Sequence, residues 1–153
     1  MRWLIAMLLC VTATARASPH KVAVLPLEPT LTPAPAEARF AVDVTTELRA
    51  AMAADFTIVA ARFASLAAAK RVARCSTEAT ACMAVLGAQL GADLLVFGKI
   101  RRTSSGYQVT VKLLDVGRRR VLRIVSDEIV ANDASGPRLV SAVQATYARL
   151  VGN

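Results

Sequence analysis

The chain has 153 residues, 55% of them apolar, and a formal net charge of +8. That length predicts one domain and is enough to build its own core. After the first segment, no apolar stretch approaches the roughly 20 residues that a bilayer crossing needs, which excludes a second membrane segment.

The first segment reads MRWLIAMLLCVTATARAS. Arg2 is followed by an apolar run of about a dozen residues and then Ala15-Arg16-Ala17, the small-x-small pattern of signal-peptidase cleavage. We expect residues 1–17 to be a cleaved secretory signal and residues 18–153 to form one domain, periplasmic or otherwise exported. Cys10 follows Leu9, where a lipoprotein would carry a small residue, so no lipid anchor is expected. Removing Arg2 and Arg16 lowers the basic count from 19 to 17; against 11 acids this leaves +6.

Lys21 to Leu25 is a short apolar run that reads as a buried strand. Pro26, Pro29, Pro33 and Pro35 then predict a stiff, exposed connection over residues 26–35. From Ala36 to about Asp55 the period is helical. Phe40, Val44, Leu48, Ala51 and Met52 share one arc, with Arg39, Asp43 and Glu47 to its side. Phe56 to Ala61 is a second strand, rich in β-branched residues. Residues 61–73 predict a second helix anchored by Phe63 and Leu66. Residues 76–92 predict a third, capped by Ser76 or Thr77, with Glu78 at its positive end. Ala79, Cys82, Met83, Leu86 and Leu90 form its apolar face.

The period then drops to two. Residues 93–102 and 107–115 predict strands joined by the turn TSSG. Tyr107, Val109, Val111 and Leu113 face one way, and Gln108, Thr110 and Lys112 the other. After VGRRR a third strand of this meander covers residues 121–130, and a last helix runs from Pro137 to Val151 with Leu139, Val143, Tyr147 and Leu150 inward. The order β-α-β-α-α-β-β-β-α predicts an α/β domain: a mixed five-stranded sheet, parallel early and antiparallel late, packed by helices.

Gly87, Gly91 and Gly98 raise the question of a phosphate loop. Such loops run strand, glycines, helix, so that the helix N-terminus faces the anion. Here the glycines follow a helix. Gly91 is expected to end it in the left-handed region, and Gly98, inside a strand, to mark a bulge or a close backbone approach. The one histidine, His20, lies outside the expected core, and no Ser-His-Asp or Cys-His set can be assembled around it. Glu28, Glu37 and Asp43 read as solvated charges. Asp127 and Glu128, adjacent on a strand, point to opposite faces and make a poor acid/base pair. No clustered ligands suggest a metal or a cofactor, and no enzymatic activity is expected.

Cys75 and Cys82 remain after signal removal. In one helix their Cα atoms would stand about 10 Å apart, beyond disulfide reach. A bridge therefore requires Cys75 in the loop, folded back over the first turn; the alternative is two buried thiols. Lys99 to Arg123 carries eight basic residues against one acid, Asp115. Arg101 and Arg102 fall near one hairpin turn and Arg118, Arg119 and Arg120 at the other, on the order of 30 Å away along a strand. Two separated clusters, with Tyr107 the only aromatic among them, argue against nucleic acid. The arginines either guard a sheet edge or steer an acidic partner, be it an envelope protein, an anionic polymer or a lipid head group. Nothing in the sequence sets an oligomeric state.

VAVLPLE, together with Leu86, Gly87, Leu90, Gly91, Ala92, Asp93, Gly98, Tyr107, Leu113 and Asp115 at their spacing, resembles the bacterial envelope domains related to the amino-terminal domain of TolB. That group is similar to the periplasmic parts of CsgG, FlgO and LpoB, and cysteines before and within the preceding helix recur in it. The resemblance covers about Lys21 to Val130. It implies a TolB-like fold and a non-enzymatic adaptor, secretion or assembly part that docks other envelope proteins. The chain has no room for a propeller, no membrane-crossing hairpins and no lipoprotein cleavage motif. Tol-system docking, pore formation and synthase activation therefore do not carry over, and no family binding residue transfers.

Overall fold

The computed structural model describes residues 20–30 and 33–152; the expected signal segment, with Cys10, lies outside them. The elements in chain order are β1 (Lys21–Val24), β2 (Glu28–Pro29), α1 (Pro35–Met52), β3 (Thr57–Val59), α2 (Leu66–Val72), α3 (Thr80–Gln89), β4 (Leu94–Arg102), β5 (Gly106–Asp115), β6 (Arg120–Val130), a single 3-10 turn (Ala131–Asp133) and α4 (Gly136–Val151).

One mixed sheet runs β3-β1-β4-β5-β6. β1 lies parallel to both β3 and β4, while β4, β5 and β6 form the antiparallel meander. The sheet has six strands where five were expected. The additional one is β2, inside the proline-rich connection, with Glu28 and Pro29 set beside Lys99 and Ile100 of β4. The chain returns to β4 soon after β1: the Leu25 amide donates to the Val96 carbonyl at 2.9 Å and the Thr30 amide to that of Ile100 at 2.9 Å. Pro29 fits there because it sits at a strand end, where its missing N–H costs no ladder bond. Nor is the whole connection exposed. Leu27 is buried, and its amide donates to Thr45 Oγ1 at 3.0 Å.

The helices form two layers. α1 and α4 cover one face, where Phe40, Val44, Leu48 and Met52 meet Val96, Ile100, Val109 and Val111 from the sheet and Leu139, Val143 and Leu150 from α4. α2 and α3 cover part of the other, burying Leu66, Met83 and Leu86 against Leu95, Phe97 and Leu114. Strand alternation sends Val96 and Phe97 to opposite cores, which is why β4 reads as an almost unbroken apolar run.

α2 and α3 begin later than their periodicity suggests. Ser65 caps α2 by accepting the Ala68 amide at 3.1 Å, so Phe63 precedes the helix and packs from the loop. Neither Ser76 nor Thr77 caps α3. Its N-cap is Ala79, without a side-chain bond, and Thr77 Oγ1 instead accepts the Ala79 amide at 3.3 Å. The cause is the Cys75–Cys82 disulfide, whose Cα atoms are 5.7 Å apart. It draws residues 75–79 back over the first turn and delays the helix. The buried face of α3 accordingly consists of Met83, Ala84, Leu86 and Gly87; Ala79 is exposed and Leu90 half-buried.

Gly91 ends the α3 region at φ +69°, with the Ala92 amide donating to the Gly87 carbonyl at 3.0 Å. Nothing lies within 4 Å of where a Cβ would stand. Gly91→Ala should therefore lose only the backbone term, about 1 kcal/mol, read as a lowered urea midpoint at unchanged m-value. A larger loss would mean that the open space is filled in solution.

Candidate interaction surface

β6 is an outer strand of the sheet. One edge pairs with β5, and among the described residues no strand pairs with the other. It is 11 residues long, about 35 Å at 3.3 Å per residue. Val125 and Ile129 turn inward, whereas Leu122 and Ile124 remain 41% and 58% exposed. The register slips between Leu113 and Leu114, so that Arg120 to Arg123 leave strict alternation. A long edge that carries apolar side chains is a template for a further strand.

Polar side chains fix this strand from both faces. Asp127 pairs with Arg149 and accepts the Thr146 hydroxyl at 2.6 Å, tying β6 to α4. Glu128, on the opposite face as its position predicts, accepts from Thr103 Oγ1 at 3.2 Å and from Ser105 Oγ. The two carboxylates are thus structural ties of separate faces.

The two arginine clusters stand at opposite ends of the meander, because the register sets Arg102 beside Tyr107 and Arg120 beside Asp115. Arg101 donates to Gln108 Oε1 at 2.8 Å, and Arg118 reaches Asp115 at 3.4 Å. Arg119 occupies the left-handed region at φ +52° in the turn. Arg102, Arg119 and Arg120 form no ion pair among the described residues, and the latter two flank the start of the open edge.

A cluster that sequence spacing does not reveal lies inboard of these. Glu78 was expected at the positive end of α3; instead its carboxylate sits 3.9 Å from Lys70, 3.0 Å from Lys99 and 4.0 Å from Lys112. Lys70 also reaches Glu28 at 3.7 Å, and Lys112 Nζ lies 5.6 Å from the centre of the Phe97 ring. Glu28 is therefore a paired, half-buried group. Glu37 departs further from expectation: only 6% of it is exposed, and its Oε1 has no hydrogen-bond partner among the described residues. It falls on the inward arc of α1, four residues before Ala41, in a first turn whose positive end favours a carboxylate. Asp43 is exposed as expected.

Two partly buried ties hold α1 in place. Arg49 donates to the Val24 carbonyl through Nε at 3.1 Å and Nη2 at 2.8 Å, and burial lowers its pKa. The Tyr147 hydroxyl donates to Asp55; burial, then that hydrogen bond and the charge of Asp55, push the phenol up to about 12. His20 lies exposed, 3.9 Å from Asp93. Among the described residues no group of three or more His, Cys, Asp or Glu could hold a metal, and no helix is long and apolar enough to cross a membrane.

Solved structures match this architecture. TolB from Acinetobacter baumannii superposes with a TM-score of 0.54 at 16% identity, over 90% of this chain and 29% of that one. The fold is that of the TolB amino-terminal domain. E. coli LpoB matches with a TM-score of 0.51 at 17% identity, over 71% of this chain and 56% of its own. Lipoprotein GNA1162 from Neisseria meningitidis matches with a TM-score of 0.50 at 14% identity, over 88% of this chain and 99% of its own. The chain thus spans about half the length of LpoB and under a third of TolB. No protein-family model and no curated protein matches the sequence.

Proposed function

We propose that the chain is a non-enzymatic, exported module that docks other cell-envelope proteins by adding a partner strand to β6. The observation that carries this reading is the open edge itself, 11 residues long with Ile124 and Leu122 outward. Backbone N–H and C=O groups along it supply the affinity, and the two apolar side chains supply contact area. Arg119 and Arg120, at its start, favour an acidic approach and raise the encounter rate. The fold shared with TolB, LpoB and a lipoprotein, and the secretory-type first segment, support an envelope setting.

Affinity capture from native envelope extract should recover at least one envelope protein with the wild-type chain and about tenfold less with Ile124→Lys, which places a charge on the apolar edge without touching either core. Equal recovery by the two chains would remove β6 from the interface.

A further inference from the structure

The face covered by α2 and α3 is only half covered. Along β4 the alternate residues Leu95 and Phe97 lie under these helices, and the next two on the same face, Lys99 and Arg101, do not. Along β5, Leu114 is covered, while Lys112, Thr110 and Gln108 beyond it are half-buried. A cavity of about 250 Å³ lies on this face, lined by Thr30, Glu78, Lys99, Arg101, Gln108 and Lys112 among others.

We infer that this cavity, which lies one strand inboard of the β6 edge with Lys112 beside Ile124, is a binding site for a phosphomonoester group. Its lining carries three cations and one carboxylate, an excess of two positive charges. A phosphomonoester carries about −1.5 to −2 at neutral pH and offers only acceptor oxygens. The lining meets it with donors: the ammonium groups of Lys99 and Lys112, the Thr30 hydroxyl, and the Gln108 amide nitrogen, freed because Gln108 Oε1 already accepts from Arg101. Glu78 pairs with the lysines, at 3.0 Å from Lys99 and 4.0 Å from Lys112. Each ammonium has three protons and can serve Glu78 and a ligand oxygen together. The floor is paired sheet, which fixes the backbone from which Lys99, Gln108 and Lys112 project. Glu78 orients Lys99 and Lys112 but also repels the dianion, and the repulsion is the larger of its two effects on binding.

The test is an NMR titration of the purified chain with inorganic phosphate at constant low ionic strength. Saturable shifts should centre on the amides of Lys99, Thr110 and Lys112. Lys99→Gln, and independently Lys112→Gln, should weaken binding about tenfold or more. Glu78→Gln, once a thermal melt shows it folded, should bind phosphate more tightly than wild type. Vesicles of phosphatidylcholine doped with phosphatidic acid, a monoester, are compared with vesicles carrying the diester phosphatidylglycerol at equal surface charge. Preference for the monoester lipid assigns the group to a lipid head; phosphate binding without vesicle binding assigns it to a soluble ester. The proposal is overturned by shifts spread equally over Arg118 to Arg120, by binding that Lys99→Gln leaves intact, by weaker binding in folded Glu78→Gln, by vesicle binding that is equally strong for the two lipids, or by equal competition from polyglutamate.

Discussion

Gly98→Ala is expected to destabilise the chain by about 3 kcal/mol or more. Gly98 lies in the middle of β4 with Val111 opposite it on β5. A Cβ built there would stand 2.0 Å from the Thr110 carbonyl oxygen and 3.0 Å from the Thr110 carbonyl carbon and the Val111 Cα. All three atoms are backbone. A crowded side chain could rotate away, but a paired backbone must shift, and shifting it opens the ladder that joins the parallel and antiparallel halves of the sheet. The contrast with Gly91 isolates the mechanism: one glycine is required for its φ angle and has free space, the other for close approach. Chemical denaturation of the two alanine variants separates them. A loss below 1 kcal/mol for Gly98→Ala would mean that β4 and β5 are not packed as described.

Removing the disulfide should have the second largest effect. Cys75 and Cys82 are separated by 7 residues in sequence. Closing so short a loop limits the unfolded chain by an amount that corresponds to about 2.5 kcal/mol. The bridge also sets where α3 starts and holds the segment that presents Glu78 to Lys70, Lys99 and Lys112. The double variant Cys75→Ser, Cys82→Ser should therefore lose about 2 to 3 kcal/mol in denaturant, and a thiol reductant should bring the wild-type chain to a similar midpoint. Alkylation of unfolded, unreduced protein should label neither cysteine. Two labelled cysteines would show that the bridge does not form.

Much of the architecture was legible because it is encoded locally. The helical arc of α1, the alternation of β5 and the inward face of α4 each repeat a residue type at the period of their own element, and each is buried as read except Tyr107, which is half-buried. The role of Gly91 followed from its place after a helix. What was not legible depends on partners distant in sequence. β2 is a strand only because β4 lies beside it, and two residues with a proline carry no periodic signal. α3 starts late because a covalent tie overrides its helical pattern. Glu37 has the composition of a solvated first-turn acid, and only its position on the inward arc, the same period that placed Phe40, could have marked it as buried. The lysine cluster around Glu78 gathers residues 70, 78, 99 and 112 from four elements and loops, and no spacing rule joins them. The arginines were visible as a run in sequence, but the register divides them between opposite ends of the sheet.

A photo-crosslinking residue placed at position 124 of β6 in living cells tests the docking edge most directly, with position 42 on the outer face of α1 as the control. Val42 is 64% exposed and Ile124 58%, so accessibility does not distinguish them. If β6 is the docking edge, position 124 yields a discrete adduct with an envelope protein and position 42 yields none. Identical adducts from both positions, or none from 124 in an exported chain, would contradict it.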